Sequence, residues 1–75
     1  MQNGNWQTTI LSDPGHEHLV AEVSFGDRFL LLLDREQGRE NVCVSFPAKD
    51  GAPEVRVPLA DFIAQLQAAA VDLCR

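Results

Sequence analysis

The sequence is poor in positive charge. Six of its 75 residues are Lys or Arg, against eleven Asp and Glu, which leaves a net charge of -5. A nucleic-acid binder needs cations to neutralise phosphates, so this deficit speaks against nucleic acid as a partner. It speaks equally against attraction to an anionic membrane surface. Long apolar runs are missing too. The longest, Phe29-Leu30-Leu31-Leu32-Leu33, falls far short of the roughly 20 residues that cross a bilayer. Met1-Gln2-Asn3-Gly4-Asn5 carries neither a basic nor an apolar signal region, so no signal peptide is expected and a cytoplasmic protein is.

Cysteine is scarce. Cys43 and Cys74 form no Cys-x-x-Cys pair and no zinc-ligand spacing, and two reduced thiols are expected. The chain also lacks catalytic motifs. Ser12, Ser24 and Ser45 stand outside any Gly-x-Ser-x-Gly context. There is no Gly-rich phosphate loop and no nucleophile–base–orienter set. The expectation is a non-enzymatic protein without a cofactor.

What is present is ordinary globular material, 45% hydrophobic and 23% charged, expected as a single domain over residues 1–75. For a mass of 8.3 kDa, surface scaling predicts that a compact fold exposes about 4,600 Å². Domains this small often gain stability by oligomerising.

Periodicity predicts strands over about 6–11, 19–25, 28–34, 42–46 and 54–57, then a helix over about 59–74. The first segment, Trp6 to Leu11, is rich in aromatic and β-branched residues. Asp13-Pro14-Gly15 stops it. Leu19, Ala21, Val23 and Phe25 alternate with Val20, Glu22 and Ser24, which places the odd-numbered residues toward a core. Gly26-Asp27 fits a two-residue hairpin turn. A polar loop follows from Asp34 to Asn41, and another is expected from Pro47 to Pro53. In the last segment Leu59, Phe62, Ile63, Leu66, Ala70 and Leu73 recur at helical spacing. Pro58 suits the helix start, and Asp61 favours the positive end of its dipole. The fold class expected is α+β: an antiparallel meander sheet of four or five strands with one C-terminal helix packed on one face.

The third strand is apolar at every position, although a sheet covered on one face should alternate. If Phe29, Leu31 and Leu33 face the helix, then Leu30 and Leu32 face away, together with Val20 and Cys43. One helix cannot cover both sides. Either the N-terminal strand folds over this second face, or a protein partner or a second copy covers it. Val20, Leu30, Leu32 and Cys43 are therefore the candidate dimer or partner face.

Two polar clusters are candidates for chemistry. His16-Glu17-His18, with Asp13 nearby, has the i, i+2 spacing that lets two imidazoles share a metal, but no third ligand is identifiable. Asp34, Arg35, Glu36, Arg39 and Glu40 surround Gly38 on a hairpin loop. The plain reading is a solvated turn of mixed charge. The functional reading makes Asp34, Arg35, Glu36 and Glu40 a partner-binding loop that steers association.

In element order alone, strands followed by a helix resemble the Whirly and coactivator-type single-stranded DNA binders. Those use a basic sheet face, whereas strands two to four here carry Glu22 and no Lys. Four short motifs, Val20-Ala21-Glu22, Glu36-Gln37-Gly38, Phe46-Pro47 and Pro58-Leu59-Ala60-Asp61-Phe62, also resemble a group of small acidic bacterial proteins of immunity or toxin-neighbour type. The resemblance spans most of the chain and implies a small binding protein that neutralises a toxin by occlusion. Asp34, Glu36 and Glu40 would then meet a cationic cleft. The other expectation is a homodimeric structural domain that uses the second face of the sheet.

Overall fold

A computed structural model describes residues 4–47 and 55–75. Five strands, β1 (Trp6–Leu11), β2 (Val20–Phe25), β3 (Arg28–Asp34), β4 (Cys43–Phe46) and β5 (Val55–Pro58), precede the helix α1 (Leu59–Leu73). They form one sheet in the order β1-β2-β3-β4-β5, and every neighbouring pair is antiparallel. The class is α+β, a meander sheet with a single C-terminal helix. Glu54 and the loop expected up to Pro53 lie in 48–54, outside the described residues.

Short-range chemistry sets the turns. The Asp13 carboxylate accepts the Gly15 N–H at 3.1 Å, and the Asp13 carbonyl accepts the His16 N–H at 2.9 Å, a turn that Asp-Pro-Gly favours. Gly26 closes the β2–β3 hairpin at φ 64°, where a side chain would clash with the backbone. The Val42 carbonyl accepts the Leu59 N–H at 2.9 Å. That bond fastens the start of α1 beside the start of β4.

Pairing assigns the side chains to two faces, because directly opposed residues share a face. Ile10, Ala21, Leu33, Val44 and Val57 lie in one row, with Thr8, Val23, Leu31, Phe46 and Val55 on the same side. The opposite face carries Thr9, Glu22, Leu32, Ser45 and Arg56 in one row and Asp34, Cys43 and Pro58 in the next.

Simple alternation fails at one point of β3. Val23 opposes Leu31 while Ser24 opposes Phe29, so Leu30 is an extra, bulged residue. A bulge of this kind shifts the register by one. It moves Phe29 away from the face of Leu31 and Leu33 and aligns it with Ser24. β1 does not fold over the sheet either. It pairs edge to edge with β2.

Among the described residues the buried set is small: Val20, Cys43 and Val44, with the polar Asp34 and Ser45. In β2 the buried residue is Val20, not the odd-numbered set. Ala21, Val23 and Phe25 are half-buried, and Leu19 lies exposed before the strand. Helix α1 starts on the Val44 face. Phe62 meets Phe46 edge-on, with ring centroids 5.0 Å apart. Its packing is mainly against β4 and β5. No residue of the helix is buried.

A candidate interaction surface

Asp34 ends β3 on the face opposite the helix and is only 2% exposed. An isolated carboxylate in that position would be strongly destabilising. Arg56 offsets the cost from two strands away. Its Nε donates to Asp34 Oδ2 at 3.0 Å, and its Nη2 donates to Oδ1 at 2.8 Å. The Glu36 N–H adds a third bond to Oδ1 at 3.2 Å. Arg56 pairs with Ser45 and Asp34 with Cys43, one row on, so Arg56 reaches diagonally over β4. Hydrogen bonding to the Arg56 guanidinium holds the Asp34 carboxyl below its ordinary 3.8, against the opposing effect of burial.

Glu36 closes the same end of the sheet. Its carboxylate accepts the backbone N–H of His18 at 3.0 Å and of Glu17 at 3.1 Å. These two bonds tie the loop after β3 to the segment before β2, and they lower the Glu36 pKa. Gly38, at φ 105°, and the bond from Asn41 N–H to the Gly38 carbonyl at 3.0 Å shape the rest of that loop.

The loop is therefore not the free acidic surface expected. Asp34 is buried in an ion pair and Glu36 is engaged by backbone donors. Arg35 is half-buried, and Glu40 remains exposed. The exposed loop wall faces the start of α1 across an open cleft of about 710 Å³, lined by Arg39, Glu40, Leu59, Asp61 and Ile63 among others.

The histidines do not converge on a ligand site. His16 Nδ1 lies 2.7 Å from Asp13 Oδ2, which lowers the Asp13 pKa, whereas His18 contributes its backbone N–H to the Glu36 tie. Among the described residues no group of three or more His, Cys, Asp or Glu side chains is placed to hold a metal ion. Cys43 is buried and free, and Cys74 is exposed and free.

The four residues of the expected partner face differ in exposure. Val20 and Cys43 are buried within the chain, and Leu32 is half-buried beside them. Their end of the sheet holds the Asp34–Arg56 pair and is closed by the joined loops. Leu30, the bulged residue, is partly exposed and lines a second open cleft of about 1000 Å³ with Trp6, Phe25 and Arg28. Trp6 and Phe25 contact each other there at 4.8 Å between ring centroids.

Phe29, 44% exposed, stands on the Asp34 face, and a further open apolar surface is on the other face. Ile10 is 61% exposed, and half-buried Val23, Leu31 and Leu33 lie across the sheet from it. Helix α1 continues this surface with Ile63 at 45% and Leu66 at 54% exposure, and with Leu73 near its end. Ile63 and Leu66 were legible as part of an apolar stripe on a helix packed against the sheet, but spacing alone does not reveal whether anything covers a stripe. Arg56 was missed altogether. Its signal is a lone cation between Val55 and Val57, which alternation turns to the opposite face.

Among the described residues no helix is long and apolar enough to cross a membrane. Compared with protein families, with curated proteins and with solved structures, the chain matches none.

Proposed function

We propose that this protein is a non-enzymatic protein-binding module that works through the apolar surface shared by α1 and the Val44 face of the sheet. One observation carries the reading: an amphipathic helix has no buried residue, while Ile63 and Leu66 on its apolar stripe stay about half exposed. Contiguous apolar surface of this kind marks interaction sites in small proteins. Occlusion of a cationic cleft by Asp34, Glu36 and Glu40 is not carried forward, since the first two carboxylates are occupied within the chain.

The test is site-specific photo-crosslinking in the expressing cell. A crosslinker at position 66 is expected to give a discrete protein adduct. A crosslinker at position 22, on the other face, is expected to give none. No adduct from position 66, or equal adducts from both, overturns the proposal.

A further inference from the structure

Resting on the protein-binding reading, we infer that the occupant of this surface is a second copy of the same chain, with helix stripe and sheet face packed against their equivalents. The first support is area. The chain exposes 6111 Å², about 1,500 Å² more than a compact chain of its mass. Burying that excess on both copies would remove about 3,000 Å², inside the roughly 2,000–5,000 Å² that obligate homodimers bury. The radius of gyration agrees: it is 14.1 Å, against about 11 Å for a compact chain of this length.

The second support is the placement of charge. A two-fold interface brings the same patch of both copies together, so acidic groups on it would face their own kind. A chain of net charge -5 associates with itself only through a patch free of them. Ile10, Val23, Leu31, Leu33 and Leu66 meet that condition, while Ile63 borders the cleft that Arg39, Glu40 and Asp61 also line. Glu22 and the Asp34–Arg56 pair lie on the opposite sheet face. Asp61 and Asp72 fall on the polar side of the helix, away from the stripe.

The third support is the stripe itself. Ile63, Leu66, Ala70 and Leu73 step by three, four and three residues, the spacing with which two helices interlock. Ala70 allows their backbones to approach closely.

The experiment is light scattering coupled to gel filtration on the full chain at micromolar concentration, with Leu66→Glu and Val71→Glu as variants. Val71 is exposed and lies off the stripe, so it controls for the added charge. The wild type and Val71→Glu are expected at twice 8.3 kDa. Leu66→Glu is expected as the monomer, with a dissociation constant raised about a hundredfold, the effect of losing a central interface side chain. If Leu66→Glu fails to fold by circular dichroism, Leu73→Glu replaces it, on the same stripe and 85% exposed. A monomeric wild type overturns the inference while leaving the crosslinking result to decide the protein-binding reading. A stripe variant that stays dimeric, or a Val71→Glu that dissociates equally, overturns the placement on this face.

Discussion

The Asp34–Arg56 pair makes a prediction that runs against intuition: removing the exposed partner costs more than removing the buried one. The side chain of Asp34 is fully buried, whereas that of Arg56 is 39% exposed. In Asp34→Ala, Arg56 turns to water and Glu36 N–H loses a weak bond. The cost is the net value of hydrogen bonds to a charged group, about 2 kcal/mol. In Arg56→Ala, the Asp34 carboxylate keeps only the Glu36 N–H as donor, and breaking a buried pair in that way costs about 3 kcal/mol or more. Protonating Asp34 caps the penalty. From an ordinary value of 3.8, taking up a proton at pH 7 costs about 4 kcal/mol, at about 1.4 kcal/mol per pH unit. A chain of this length has about 4–11 kcal/mol of stability in all, so Arg56→Ala removes between about a third and all of it.

The pH dependence follows with a definite sign. In the wild type the native pKa of Asp34 is lowered, so its contribution is fully present above the ordinary 3.8 and is lost as pH falls through the native value. In Arg56→Ala the lowering effect of the guanidinium is gone while burial still acts against the charged form, so the native pKa of the unpaired carboxyl is expected to rise. Its penalty is largest at neutral pH and shrinks as the solution is acidified toward pH 4. Urea denaturation of both variants between pH 7 and pH 4, followed by circular dichroism, reads both effects. The reasoning is refuted if Asp34→Ala loses as much stability as Arg56→Ala, or if the Arg56→Ala deficit is independent of pH.

Two further predictions concern the turns. Glu36→Ala removes the acceptor for the Glu17 and His18 amides, so their hydrogen exchange is expected to accelerate, with Glu36→Gln intermediate; unchanged exchange by NMR would contradict the tie between the two loops. Gly26→Ala is expected to cost about 1–2 kcal/mol, since Gly26 holds a φ of 64° that a side chain disfavours. Gly26→Asn, which tolerates that region better, is expected to cost less, and equal urea midpoints for the two variants would argue against backbone strain as the cause.

Much of the fold was legible because local chemistry decides it. Val-Ala-Glu-Val-Ser-Phe alternates, Gly26-Asp27 permits a tight return, and the Leu59-to-Leu73 stripe has helical period. The five strands and the helix accordingly lie within a residue of their expected bounds. The bulge at Leu30 was not legible, because an all-apolar strand gives no sign of a register change. The burial of Val20 and Cys43 was not legible for a different reason. Val20 and Cys43 look like spare apolar residues until Asp34 is seen buried beside them, and that burial depends on Arg56 arriving from a strand 22 positions later. Long-range pairing of that kind leaves no periodic trace. Glu36 reads as a solvated loop charge because its partners are backbone amides 18 and 19 residues away, and backbone donors have no residue-type signature.

The most direct test of the interaction surface is an isotope-filtered NMR measurement on a mixture of labelled and unlabelled full-length chains. It reads only contacts between copies. The account predicts intermolecular cross-peaks from the methyl groups of Ile63 and Leu66, reaching Ile10, Leu31 or the same helix in the second copy. Cross-peaks confined to Leu32 and Val20, on the Asp34 face, or none at all, would contradict it.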